Sequence, residues 1–178
     1  MSLFAFALLI AFYAFSDAAC NIKWPNGTDT RSNFWQCDQN PVRFSNFRTY
    51  DLQGNPMYPI RVDQTIVLRV DMNNPGYTLQ SPNLRVSSKI WAWGGTKGCG
   101  WHLLPTFGLM NNLDACANGY PCPILPGIRT IAVTQNVAKF SAILKLLFGD
   151  AAYQIQWTLT DTFYKTSACI IGQLRIKQ

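Results

Sequence analysis

In Tyr153-Gln154-Ile155-Gln156-Trp157-Thr158-Leu159-Thr160, apolar and polar residues alternate without interruption. Successive side chains of an extended strand point to opposite faces, whereas a helix repeats every 3.6 residues. A strict period of two therefore specifies a strand with one buried face and one wet face. The same pattern recurs in Gln64 to Met72, where Ile66, Leu68, Val70 and Met72 share one face while Val67, Arg69 and Asp71 share the other. It recurs again in Ala168 to Lys177, with Ile170, Gly172, Leu174 and Ile176 inward and Gln173, Arg175 and Lys177 outward.

Less regular strands are expected at Phe34–Asp38, Val42–Arg48, Leu84–Trp93 and Thr130–Val133. Turn signals lie between them: Asn40-Pro41, Gly54-Asn55-Pro56, Asn73-Asn74-Pro75-Gly76, Ser81-Pro82 and Pro126-Gly127. About seven short strands at this spacing predict an all-β fold, an antiparallel β-sandwich. The chain has no internal repeat, low-complexity tract or linker, and its 178 residues suit one domain. One stretch departs from the alternation. Val137, Phe140, Ser141, Leu144 and Leu147/Phe148 recur at helical spacing, and Gly149 stands where a C-terminal cap would. A short helix or helical turns are expected there, although Ile143 and Leu146 fall off the stripe.

Leu3 to Phe15 is the only long apolar run. It is too short to span a bilayer, which takes about 20 residues. It fits the core of an export signal, with small Ser16 and Ala18 before the cleavage point. Residues 1–18 are read as a signal peptide and 19–178 as the domain. Cleavage removes Asp17 and no basic residue, leaving the mature chain one unit more positive than the +6 of the full sequence. The basic residues are scattered and accompany no nucleic-acid motif, so mild attraction to an anionic membrane surface is expected instead. Six cysteines (Cys20, Cys37, Cys99, Cys116, Cys122, Cys169) on an export route predict disulfides, and Asn26-Gly27-Thr28 is a glycosylation sequon.

The sequence offers little catalytic chemistry. It has no nucleophile elbow, no H-E-x-x-H and no Walker spacing. Gly94-Gly95-Thr96-Lys97-Gly98-Cys99-Gly100 reads as a tight loop pinned by Cys99. His102, the one histidine, sits between Trp101 and Leu103 and reads as a packed structural group. No catalytic residue, metal site or cofactor is assigned. More informative is the stretch after Trp91, Trp93 and Trp101, namely Leu103-Leu104-Pro105-Thr106-Phe107-Gly108-Leu109-Met110. Its Pro and Gly predict a loop, yet it is among the most apolar parts of the chain, whereas loops are usually polar surface. Either it closes over the core as a lid, or it presents an apolar patch to a membrane or ligand.

Several landmarks occur together over roughly residues 32 to 177. Cys116 to Ile124 has the spacing C-x5-C-P-I, and Phe34-Trp35-Gln36-Cys37-Asp38 supplies a W-x-C-D start. Pro126-Gly127 provides a glycine turn after C-P-I, Tyr153 to Asp161 a penultimate strand, and Ala168-Cys169-Ile170-Ile171 a last strand with one cysteine. In this order they resemble the ML (lipid-recognition) domain family, which includes the ganglioside activator proteins and the Niemann–Pick type C cholesterol carriers. The activator branch has more cysteines near C-P-I and the cholesterol-carrier branch an extra early pair, so the resemblance names no particular lipid.

The resemblance implies an immunoglobulin-like sandwich splayed to admit an acyl chain, sterol or glycolipid. Sheets in a sandwich meet through side chains alone, so they can be held apart without breaking a ladder. It makes Ile66, Leu68, Val70, Ile155, Trp157, Leu159, Ile170 and Leu174 cavity lining rather than plain core. The cavity is expected to measure several hundred Å³, with Trp93, Trp101, Leu104, Phe107, Leu109 and Met110 at its mouth or against a membrane. It implies a Cys37–Cys169 bridge; Cys116 and Cys122 are expected to join locally, leaving Cys20 and Cys99 to pair by elimination. The function that follows is a secreted or lysosomal lipid-binding and transfer protein. Its partners would be a lipid, a membrane surface and a lipid-processing enzyme or receptor. The alternatives are a solid-core recognition module and a hydrolase using His102.

Overall fold

The computed structural model describes residues 20–178 apart from 96, 97 and 148; the expected signal peptide lies outside the described residues. Ten strands are formed: Asn33–Gln36 (β1), Arg43–Tyr50 (β2), Ile60–Arg61 (β3), Ile66–Asn74 (β4), Leu84–Trp93 (β5), Trp101–Leu103 (β6), Leu113–Asp114 (β7), Gly127–Gln135 (β8), Asp150–Asp161 (β9) and Thr166–Lys177 (β10). Seven have four residues or more, and each of these contains or overlaps a stretch that the alternation and turn signals mark. The other three are too short to carry a period.

The strands form two separate sheets. The larger runs β1-β10-β9-β5-β6, with β3 added to β10 and β7 to β5; the smaller runs β2-β4-β8. All pairings are antiparallel except that of β3 with β10, where Ile176 faces Ile60. Between the sheets the apolar faces meet as read from the sequence: Ile66, Leu68, Val70 and Met72 of β4 are all buried, as are Leu84, Val86 and Ile90 of β5. β2 carries a bulge between Ser45 and Arg48, with Asn46 at φ 51°. The extra residue re-aims the strand, so Phe44 and Phe47, three apart, both turn inward.

The structure corrects three expectations. Gln173 is on the outer face of β10 but is only 5% exposed, because the segment before β1 covers it. Asn26 Nδ2 donates to its Oε1 at 2.6 Å, and its own Nε2 donates to Gln154 Oε1 at 2.8 Å. The apolar stretch from Trp101 begins as a strand, β6, which pairs with β5 through Trp93↔Trp101 and Trp91↔Leu103. The expected helix is shorter than the stripe. Val137–Phe140 forms a 3₁₀ turn and Ser141–Leu144 (α1) one α-turn, which ends at Lys145, so Gly149 caps nothing. A 3₁₀ turn repeats every three residues, so the turn at Val137–Phe140 shifts the phase of the α-turn that follows. Ile143 is the buried residue of that α-turn, at 2% exposure.

Candidate functional site

At one end of the sandwich the sheets enclose an apolar cavity of about 110 Å³. Ile90, Ile155, Trp157, Leu174 and Ile176 supply its wall from the larger sheet, and Ile66 and Leu68 its wall from the smaller one. The helical segment closes it with Val137, Phe140, Ile143, Leu144 and Leu147, while Ile60, Val62 and Met110 complete the lining. Among the described lining residues only Gln135 carries a polar side-chain amide. Ile155 and Trp157 show why a cavity differs from a core. Both belong to a strand flanked on each side, yet neither counts as buried, because their side chains border empty space.

Of the eight residues expected to line the cavity, Ile66, Leu68, Ile155, Trp157 and Leu174 do so. Val70, Leu159 and Ile170 do not. They border a second void of about 20 Å³ farther into the sandwich, with Phe44, Phe47, Tyr120, Ile131 and Val133. Leu68, Gln135 and Trp157 touch both voids, so these three side chains form the partition. The indole is braced from behind: Phe47 stacks on it at 5.8 Å between ring centroids, and Phe34 stacks on Phe47 at 4.0 Å. Gly172 makes room for this column, since a Cβ there would lie 2.5 Å from Phe34 Cε1 and 3.0 Å from Trp157 Cζ3. Beside the deeper void, desolvation raises the pKa of the Tyr120 hydroxyl, which stays neutral.

The cavity is smaller than the several hundred Å³ expected, and the buried Ile143 and Leu147 of the helical segment are part of its lining. Half-buried residues at the edge of the lining are Val137, Phe140 and Leu144 of the helical segment, Val62, and Met110 from the stretch expected at the mouth. Of the six expected mouth residues only Met110 reaches the cavity. Leu104 packs on the core and its N–H donates to Ile90 O at 2.8 Å. Trp93 and Trp101 meet edge to face at 5.1 Å on the β5–β6 hairpin, where Trp93 Nε1 donates to Ile22 O. Phe107 and Leu109 point away, 75% and 48% exposed, beside Leu103 at 58%. Pairing of β6 with β5 holds the start of this stretch against its own sheet, and only Met110 at its end reaches the cavity.

Three disulfides are present: Cys20–Cys99, Cys37–Cys169 and Cys116–Cys122, with Cα separations of 4.9, 5.1 and 5.5 Å. They match the expected pairings. Asn26 is exposed, whereas Thr28 of the same sequon is fully buried. His102 is half-buried, with Nε2 3.1 Å from Gly98 O.

The main lining that the sequence reading missed is the helical segment. Its apolar stripe was visible, but a stripe says only that one face is buried, not what it is buried against. No family model and no curated protein matches the chain. Among solved structures, it is similar to a Niemann-Pick type C2 protein from the Japanese carpenter ant, at 15% identity over 82% of this chain and 99% of that one, with a TM-score of 0.43.

Proposed function

We propose that this chain is a lipid-binding and lipid-transfer protein that holds an acyl chain, or another slender apolar group, between its sheets. The observation that carries the reading is the apolar cavity with an open side and, among the described residues, a single polar amide in its lining. Such a site offers one strong interaction, removal of hydrocarbon from water, at about 0.8 kcal/mol per methylene. Six buried carbons would contribute about 5 kcal/mol before association costs. The cavity is of the size class of an engineered apolar void that takes up benzene, so it receives the end of a chain. A longer ligand needs the helical segment to swing out, which exchanges one set of apolar contacts for another.

The setting of the reading is an oxidising compartment, secreted or lysosomal. It is supported by three disulfides with no free cysteine among the described residues, by the signal-like segment 1–18 and by the sequon at Asn26. The exposed Leu103, Phe107 and Leu109, on a chain of net charge +6, suit transient contact with an anionic membrane. A lipid-processing enzyme or receptor would receive the cargo. The reading assigns no catalytic residue, and His102 keeps a structural role.

Native mass spectrometry of the protein purified from a eukaryotic secretory host tests it. The expected result is a mass increment that lipid extraction removes and an added fluorescent fatty acid or sterol restores. A bare mass with no uptake of either would overturn the reading in favour of a solid-core recognition module.

A further inference from the structure

Beside the apolar cavity lies a second hollow of opposite chemistry. It measures about 300 Å³ and is walled by the loop containing Cys116 and Gly119, by Thr134 and Asn136 at the end of β8, and by Lys139. Gln135 and Phe140 line both hollows, so the two share a wall at the cavity's open side. The pocket is large enough for a carboxylate or phosphate with several waters, each of which needs about 30 Å³.

Two features give the pocket a preferred occupant. The first is charge. Arg61 and Arg175 are matched by Asp63 and Asp150 at 2.6 Å each, and Arg85 lies 3.9 Å from Asp114. Lys139 makes no ion pair among the described residues, and no acidic side chain lines the pocket. The second is rigidity. Gln135 Nε2 donates to Asn118 O at 2.8 Å, Thr134 N donates to Gly119 O at 3.0 Å, and the Cys116–Cys122 bridge closes the loop behind them. A Cβ on Gly119 would fall on the Thr134 carbonyl, so the loop is seated directly on the strand. A wall fixed in advance loses little freedom when a ligand binds.

We propose that the ligand is an amphiphile with a single anionic head, its hydrocarbon in the apolar cavity and its head in the polar pocket against Lys139, crossing the sill made by Gln135 and Phe140. The assignment rests on the carrier reading and adds the head group to it. Because Lys139 is exposed, its pairing is worth little more than a surface ion pair, up to about five-fold in affinity.

The test compares ligands of equal chain length: dodecanoate, dodecyl phosphate, dodecanol and dodecylammonium, measured by displacement of a fluorescent fatty acid at low salt. The wild-type chain is expected to prefer both anions to the alcohol by about five-fold, and the tighter of the two anions names the head as carboxylate or phosphate. In Lys139→Gln the ratio of anion to alcohol affinity should fall toward one, and in Lys139→Glu the cation should overtake the anions. Equal affinities for acid and alcohol in the wild-type chain, or an anion preference that survives both substitutions, would overturn the head-group assignment and leave the carrier reading standing. Failure of all four ligands to displace the probe, or of the probe to bind, would overturn both.

Discussion

Trp157 stands against Phe47, ring centroids 5.8 Å apart, at the point where the interior of the sandwich divides into two voids. The larger void has an open side at the helical segment; the smaller is bounded by Val70, Leu159 and Ile170. The indole therefore sets how far a hydrocarbon chain can penetrate. Trp157→Leu should join the two voids and move the preferred chain length up by several methylenes, at a stability cost of roughly 2 to 4 kcal/mol for the lost ring. A displacement series over fatty acids of increasing length measures the first effect and urea unfolding the second. An unchanged length optimum would remove Trp157 as the partition.

Gly172 holds the aromatic column in place by having no side chain. Gly172→Ala would bring a methyl to 2.5 Å from Phe34 Cε1 and 3.0 Å from Trp157 Cζ3, so the column must shift. The expected cost is about 1 to 3 kcal/mol of overpacking. Gly149 lies in open space at a φ that is not positive, and Gly149→Ala should stay within about 0.5 kcal/mol. Paired denaturation curves give the contrast, and equal midpoints would contradict it.

Much of this interior was legible in the sequence, for a reason specific to strands. A period of two fixes the face of every residue in a regular strand, so the inward faces of Ile66, Leu68, Ile155 and Leu174 are legible from alternation. Their place against a cavity rather than in a solid core is what the family resemblance implies. What the period cannot give is depth along the strand, and for that reason Val70, Leu159 and Ile170, on the right faces, border the inner void instead. Irregularity hid the rest. The bulge at Asn46 brings Phe47 to the same side as Phe44, which alternation places on opposite faces. The 3₁₀ turn at Val137–Phe140 shifts the phase of the α-turn after it, which buries Ile143. The apolar stretch from Trp101 to Met110 suggested a lid by composition, but its opening residues satisfy their backbone groups on β5, and that pairing is not encoded in hydrophobicity.

Arg175 bonds Asp150 through two nitrogens, each at 2.6 Å, and these bonds hold the Asp150 carboxyl below its ordinary pKa. A lowered carboxylate pKa stabilises the fold above the unfolded value, about 3.9, and that stabilisation is lost as pH falls through the folded value. The pair should thus be fully formed at both pH 7 and pH 5. Asp150→Asn is expected to lower the melting temperature by the same amount at these two pH values, with the gap closing below about pH 4. Melts from pH 7 to pH 2 measure it, and a constant gap down to pH 2 would show that the pair does not supply the difference.

The helical segment that covers the cavity is tied to the end of β10. Gln178 Nε2 donates to Leu144 O at 2.9 Å and to Leu147 O at 3.2 Å. Opening the mouth must break these bonds, each worth about 1 kcal/mol. Gln178→Ala should accelerate lipid exchange with vesicles several-fold while altering equilibrium affinity less. Stopped-flow transfer of a fluorescent fatty acid reports the rate. No acceleration would mean that lipid enters by another route.

The sharpest separation of cavity from core is at Ile155, which lies level with Ile90 on one neighbouring strand and Gly172 on the other. In a solid interior, Ile155→Trp overpacks and costs about 1 to 3 kcal/mol. Here the side chain already borders about 110 Å³ of empty space, so the larger ring has somewhere to go. Stability should change by less than about 1 kcal/mol, while uptake of a fatty acid falls at least ten-fold because the ring takes the place of the hydrocarbon. Phe107→Asp makes the complementary change outside the cavity. It should slow transfer to anionic vesicles and leave binding in solution intact, since the ring is exposed and lines no part of the cavity. Urea unfolding, solution binding and vesicle transfer measured on both variants give opposite patterns for a carrier. A large loss of stability with unaltered uptake in Ile155→Trp would instead describe a packed core, and the cavity would have no part in function.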